Sequence, residues 1–292
     1  MTVPPVTTAA TASAPTVQPG EIPDLTAVIH SLTGVVLDAS KAYLINSRLG
    51  PLLAVNGIAT FADLTRRLRQ GLDRRLATAV IDAITTQETY FFRDRSPFDL
   101  LRFKVLPDTF DRIAARGGSG PSPLRIWSAA CSTGQELYSI AMMLRDLLPD
   151  PSRWRIQLLG TDISDSAVAR ASYGLYNRTE IERGLSPQLR ARWFQEEPAG
   201  WKIRDELRAM AAFRRINLLE PLAGMGRFDI ILCRNVAIYF SAEDRRRLFE
   251  GLANQLNPGG VLMIGASESL IGVTRRFQRR EYHGAVYYEL TG

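Results

Sequence analysis

Cysteine and histidine are nearly absent: two of each occur in 292 residues, Cys131 and Cys233, His30 and His283. Two cysteines make no disulfide framework, and their spacing fits no zinc pattern. A small buried thiol at the end of a strand is the plain expectation for both. The histidines stand alone in sequence and offer no metal constellation, so they read as structural or surface residues. Sparse cysteine points to a reducing, cytoplasmic setting. No apolar run reaches the roughly 18 residues of a membrane-spanning helix, so no membrane insertion is expected. Charge is missing from the start of the chain up to Glu21. Without a basic start or an apolar centre this stretch does not read as a signal peptide, and residues 1–21 are expected to be a disordered tail.

What is present suits a globular protein. Hydrophobic residues make up 46%, ample for a core, and the length fits one large or two modest domains. The net charge of +6 suits either a nucleic-acid binder or an enzyme with an acidic substrate. Its arginines cluster at Arg66, Arg67, Arg69, Arg74 and Arg75, at Arg245 to Arg247, and at Arg275, Arg276, Arg279 and Arg280. Each cluster reads equally as a solvated helix face or loop.

Residues 22–86 are helical in pattern. Leu25, Val28, Ile29 and Leu32 form one stripe; Phe61, Leu64, Leu68 and Leu72 a second; Leu76, Val80, Ile81 and Ile84 a third. Gly50-Pro51 and Asn56-Gly57 punctuate the second helix. Residues 87–123 read as a linker and connecting helix, the helix running from about Pro97 to Ala115. The glycine-rich loop from Gly117 to Pro123 precedes a strand rather than following one, which excludes a phosphate-binding loop.

From residue 124 onward strands and helices alternate. Strands are expected at Leu124–Ala130, Ile156–Gly160, Phe228–Cys233 and Val261–Gly265. Helices are expected at Gln135–Leu148, at Asp165–Ser172, and after an N-cap at Ser241, the last stopped by Pro258-Gly259-Gly260. A hairpin from Arg279 to Leu290 turns at His283-Gly284. The alternation implies a parallel sheet with an antiparallel terminal strand. Residues 177–215 interrupt it and read as an inserted small antiparallel β-subdomain.

The chemistry concentrates where the first strands end. Ser132-Thr-Gly-Gln-Glu136 is a tight loop opening a helix, and within it Gly134 alone supplies easy left-handed backbone freedom. Asp162 ends the next strand. Ligands of open α/β sheets bind outside the carboxyl ends of the strands, and a carboxylate there suits the two hydroxyls of a ribose. It could also cap the following helix. Arg234-Asn235 follows the apolar Ile-Ile-Leu-Cys, where a charged pair is unexpected for packing.

Five segments occur in one order: Thr85-Thr-Gln-Glu-Thr-Tyr-Phe-Phe-Arg93, the Ser128–Ser139 loop, Thr161-Asp-Ile163, Asn217-Leu-Leu219 and Cys233-Arg-Asn-Val-Ala-Ile-Tyr-Phe240. Together they resemble the chemotaxis-receptor methyltransferases, the CheR family, over the chain from about Ile22 to the end. The resemblance implies an α/β protein with a helical N-terminal domain and a Rossmann-like class I methyltransferase domain at residues 124–292. It implies S-adenosylmethionine as cofactor, S-adenosylhomocysteine as product, and methyl esterification of glutamates on receptor cytoplasmic helices. It implies that Gln87, Thr89, Arg93, Glu136, Asp162, Asn217, Leu218, Arg234 and Asn235 hold the cofactor. Glu136 would meet its ammonium or ribose, and Asn217 with Leu218 would bracket the adenine. Arg93 and Tyr239 would stand beside the reacting centre, Arg93 orienting the acceptor carboxylate.

The sequence departs from the family's pattern in places. Gln87 stands where asparagine is usual, and Leu137 where proline is common. Only Arg48 remains of the arginines expected on the helix at Asn46–Asn56, so docking is expected on the Arg66–Arg75 face or on a different receptor. The β-subdomain is short between Phe194 and Trp201, which resembles members independent of a receptor C-terminal pentapeptide. A monomer is expected. Two other readings are weaker. A nucleic-acid methyltransferase would need an Asn/Asp-Pro-Pro-aromatic motif or a Pro-Cys nucleophile, and neither occurs. A cofactor-binding regulator without turnover would not need Arg93, Asp162, Asn235 and Tyr239 together.

Overall fold

A computed structural model describes residues 14–117, 121–148 and 150–291. The first 13 residues of the expected tail, and residues 118–120 of the glycine-rich loop, lie outside them. The chain divides into two compact units. One runs to Leu32 and then from Val36 to Thr85; the other comprises Thr33–Val35 and the chain from Thr86 onward.

The first unit contains α1 (Ile22–Thr33), α2 (Ala42–Val55), α3 (Phe61–Gln70) and α4 (Arg74–Ile84). Their stripes meet in one cluster that fully buries Leu25, Ile29, Leu49, Leu53, Phe61 and Leu64. Thr60 caps α3 by accepting the Asp63 N–H, and Asp73 caps α4 by accepting that of Leu76. Three expectations are corrected here. The tail is shorter than 21 residues: Val17 is buried and its N–H donates to Asn46 Oδ1 (2.7 Å), while Glu21 accepts the Ala62 N–H (2.8 Å). Leu72 does not continue its stripe. Gly71 ends α3 in the left-handed region (φ 65°), so helical periodicity stops and Leu72 is exposed. Pro51 sits inside α2 without ending it.

In the second unit a continuous helix runs as α5 (Ser96–Leu100), a π-helical turn (Leu101–Val105) and α6 (Leu106–Ala115). It is no linker: Phe98, Leu101, Val105, Leu106 and Ile113 are buried in the main core. The strands are β1 (Ser122–Ala129), β2 (Trp154–Asp162), β3 (Leu175–Tyr176), β4 (Phe194–Glu197), β5 (Gly200–Ile203), β6 (Ala211–Arg215), β7 (Phe228–Cys233), β8 (Leu256–Ile264), β9 (Phe277–Tyr282) and β10 (Ala285–Leu290). The helices between them are α7 (Gln135–Leu147), α8 (Asp165–Tyr173), α9 (Arg178–Glu182), α10 (Pro187–Trp193), α11 (Asp205–Arg208) and α12 (Ala242–Asn254). Seven strands form one sheet in the order β6-β2-β1-β7-β8-β10-β9, in which only β10 runs against the others, so that its pairings with β8 and β9 are antiparallel.

Alternation along each strand sends residues to two cores. Ile126, Ile230, Leu232 and Met263 pack on the α7 side, whereas Trp127, Ile231, Cys233 and Leu262 pack against Leu248, Phe249 and Leu252 of α12. Both faces are covered, so the strands read as nearly continuous apolar runs.

The small sheet, β3-β5-β4, is antiparallel. It ends before residue 211: β6 is a parallel edge strand of the main sheet, paired with β2, so the insertion is smaller than expected. The pleat pattern of five residues does not reveal which sheet will accept a strand. The helix α12 also ends at Asn254, before Pro258-Gly259-Gly260, which instead makes an irregular stretch within β8 where its register against β7 shifts. The β9–β10 turn is as expected, with His283 (φ 46°) and Gly284 (φ 80°) both left-handed.

Candidate active site

One row of paired residues sets the rim of the sheet. Arg214, Thr161, Ala129, Cys233 and Ile264 lie side by side across β6, β2, β1, β7 and β8. The next residues, Asp162, Ala130, Arg234 and Gly265, therefore emerge together. The strand order reverses between β1 and β7, and such a switch point opens a crevice at the carboxyl ends.

The loop after β1 is more strained than its sequence suggests. Besides Gly134 (φ 92°), Ala130 (φ 61°) and Ser132 (φ 50°) are left-handed. Residues without glycine's freedom hold that conformation only when their surroundings impose it, and here they do. The Cys131 N–H donates to Thr161 O (2.8 Å) and the Ser132 N–H to Asp162 Oδ2 (2.8 Å). Ser132 Oγ donates to Gln87 Oε1 (2.9 Å), and the Tyr176 hydroxyl to Thr133 O (2.9 Å). A Cβ on Gly134 would stand 2.9 Å from Ala171 Cβ. Gly134→Ala should therefore lose about 2 kcal/mol or more of stability, checked by thermal unfolding; wild-type stability would refute this packing argument.

Asp162 is 7% exposed and is met by backbone amides and the Gln87 side chain, with no ion pair to it among the described residues. Oδ1 accepts the Ser164 N–H (3.0 Å), while Ser164 itself caps α8. Helix capping is thus not the function of Asp162. Burial raises its pKa, against the lowering effect of the Ser164 and Ser132 amides. Burial likewise raises the thiols of Cys131 and Cys233, as suits inert packing residues.

Glu136 and Arg234 form a buried network. Glu136 Oε1 accepts from Ser128 Oγ (2.7 Å) and Oε2 from Arg234 Nη1 (2.9 Å). Arg234 Nη2 donates to Asp94 Oδ2 (2.9 Å) and Arg93 O (3.1 Å), and its side chain is 2% exposed. Of its three side-chain nitrogens, Nε alone has no partner among the described residues. Expected as a cofactor contact, Arg234 is instead committed at both terminal nitrogens to the protein. A buried guanidinium demands that many acceptors.

It holds the turn carrying Arg93, in which Phe92 (φ 52°), Asp94 (φ 64°) and Arg95 (φ 25°) are all left-handed. The Phe92 N–H donates to Ser139 Oγ (3.0 Å) from the α7 side. Arg93 is partly exposed and its Nη1 donates to Glu88 O (2.7 Å). Thr89 is half-buried beside this turn.

The remaining expected residues follow the strand ends. The Ile216 N–H donates to Asp162 O (2.9 Å), bringing Asn217 and Leu218 to the rim; Asn217 Oδ1 accepts the Leu219 N–H (3.1 Å), and Leu218 is buried. Asn235 is left-handed (φ 59°), and Tyr239 ends the short turn Ala237–Tyr239, half-buried. Sequence reasoning missed Asp94, Tyr176 and Glu268. Each is a polar residue whose partner lies far along the chain, so no local pattern marks it.

The residues fit a nucleoside cofactor bearing positive charge. A buried carboxylate with no ion pair among the described residues stands at the tip of β2, held by the cramped loop after β1, and the segment leading to apolar Leu218 bonds to the same residue's backbone. Together with the strand order and antiparallel β10, they define a Rossmann-like methyltransferase. The family comparison agrees. Residues 87–286 match the model of the CheR methyltransferase SAM-binding domain, and residues 21–85 that of the CheR methyltransferase all-alpha domain. The chain is 40% identical over 283 residues to a chemotaxis protein methyltransferase of Vibrio parahaemolyticus, covering 94% of this chain and 98% of that one. It is 39% identical to chemotaxis protein methyltransferase 1 of Pseudomonas aeruginosa, covering 89% and 94%. A chemotaxis protein methyltransferase of Borreliella burgdorferi is 34% identical, covering 86% and 89%. The chain belongs to the CheR methyltransferase family, and S-adenosylmethionine is its cofactor. No helix among the described residues is long and apolar enough to cross a membrane.

Proposed function

We propose that the protein methylates glutamate side chains on the cytoplasmic helices of methyl-accepting chemotaxis receptors, giving glutamate methyl esters for sensory adaptation. The observation that carries this reading is the state of the rim carboxylates. Asp162, Glu136 and Glu268 are all occupied by N–H or O–H donors, so none is poised as a general base. The acceptor must then already be a nucleophile. A glutamate, with an ordinary pKa near 4.3, is ionised at neutral pH.

When bound, S-adenosylmethionine supplies a methyl group made electrophilic by its sulfonium centre. Asp162 would accept hydrogen bonds from the ribose hydroxyls, Asn217 and Leu218 would bracket the adenine, and Gln87, Thr89 and Asn235 would supply polar contacts. Glu136 reaches the cofactor through lone pairs left by Ser128 and Arg234. Arg93 and Tyr239 orient the incoming carboxylate. Transfer removes one negative and one positive charge, so excluding water raises the ground state more than the transition state. Holding the acceptor at near-attack distance contributes several kcal/mol more.

Arg48, the arginine left on α2, donates to Ile84 O (2.6 Å), so we assign docking of the acidic receptor helices to exposed Arg67, Arg74 and Arg75. We expect no dependence on a receptor C-terminal pentapeptide, and action in the cytoplasm as a monomer. The test is to incubate the protein with labelled S-adenosylmethionine and receptor-containing membranes. Glutamyl methyl esters release methanol in mild alkali, so alkali-stable label, or none despite cofactor binding, would sink the proposal. Arg93→Ala should lower turnover about 100-fold, in the range for losing one transition-state donor, with little change in Tm. Turnover within a few-fold of wild type would remove Arg93 from this role.

A further inference from the structure

We infer that Glu268 is a positioning residue of this site, acting through the turn that carries Asn235 and leads to Tyr239; the inference rests on the methyltransferase reading above. Glu268 lies just beyond β8, in Gly265-Ala-Ser-Glu268. Its carboxylate accepts four backbone N–H groups. Oε2 takes those of Asn235 (2.9 Å) and Gly265 (2.6 Å), and Oε1 those of Val236 (3.1 Å) and Ala237 (2.8 Å). No Lys or Arg among the described residues lies within ion-pair distance of it, so its charge is spent on the backbone.

Three successive N–H groups converging on one anion form a nest. The nest exists because Asn235 turns left-handed as the chain leaves β7, which takes residues 235–237 out of the sheet and leaves their donors without strand partners. Glu268 supplies the acceptor and so fixes the direction in which this segment leaves. Gly265 belongs to the same arrangement. Its backbone needs no glycine, yet a Cβ there would stand 2.7 Å from Glu268 Oε2, 2.8 Å from Asn235 Nδ2 and 3.0 Å from Asn235 N. Carboxylate and amide fill the space of the missing side chain. Two adjacent strand ends are thereby locked around Asn235, on the rim where the cofactor and acceptor meet.

The test uses the full chain with Glu268→Gln, measuring S-adenosylhomocysteine affinity by calorimetry, kcat with receptor membranes, and Tm. Glutamine keeps one acceptor but turns an NH2 toward backbone donors. Kd should rise and kcat fall by roughly tenfold each, the scale of losing a charge-assisted hydrogen bond. In an Asn235→Ala background the same change should raise Kd by less than about twofold, because contacting residues are not additive. A lowered Tm with Kd and kcat unchanged, or full additivity with Asn235→Ala, would assign Glu268 to stability alone and overturn the inference. Should Glu268→Gln not fold, Gly265→Ala is read the same way, and an unchanged Kd there overturns it too. Wild-type protein that fails to bind S-adenosylhomocysteine would instead defeat the underlying methyltransferase reading.

Discussion

Asp162→Ala should weaken S-adenosylhomocysteine binding by at least about 100-fold, since two hydrogen bonds to a charged group are worth about 1.5–3 kcal/mol each. Asp162 accepts the Ser132 and Ser164 amides and a Gln87 side-chain hydrogen bond, and ribose hydroxyls would add to or displace the last of these. The effect also depends on pH. Burial raises the folded pKa of Asp162, so its contribution to stability is present below the unfolded carboxylate pKa of 3.8. That contribution is lost as the pH rises through the raised folded value. Ribose donors favour the ionised form. Binding should therefore release a proton and weaken as the pH falls through that raised range. Calorimetry in buffers of different ionisation enthalpy measures the proton directly. Affinity that survives Asp162→Ala, or that shows no linkage to protons, would rule out this carboxylate as the ribose contact.

Arg234→Met should destabilise the second unit by about 3–5 kcal/mol, the usual result of removing one partner from a buried charge cluster. Glu136 would lose its guanidinium donor, and Arg93 O the Nη2 donor it accepts from. At roughly 2–4 °C per kcal/mol for a unit of this size, Tm should fall by about 10 °C. Turnover should drop as well, because the strained turn at Phe92–Arg95 would lose one of its two anchors and Arg93 its position. Arg234→Lys should be intermediate in stability, since an ammonium cannot fork between Glu136 and Asp94. Unfolding of Arg234→Met at the wild-type temperature would show that the network is dispensable.

Several parts of the molecule were legible because they are local. The Phe228–Cys233 strand, the Ser241 cap and the His283-Gly284 turn each follow from side chains within a few residues of one another. The place of Asp162 at the tip of β2 was legible too, since the apolar run before it ends there. Leu72 misled because a helical stripe carries no mark of its own end, and Gly71 ended it. Ala130 and Ser132 gave no hint of left-handed backbone, because their neighbours across the rim impose it.

The order of strands and helices along the chain, the tight loop after β1 and the family are determined by the sequence alone, because they depend on period, turn chemistry and short motifs. Tertiary structure decided which sheet received β6, why Arg234 is buried, and what Glu268 holds. Those outcomes turn on pairing between residues such as Leu158 and Ala211, Arg234 and Asp94, or Glu268 and Asn235. Hydrogen bonds and ion pairs act over about 3 Å, and only the folded chain brings such distant residues that close.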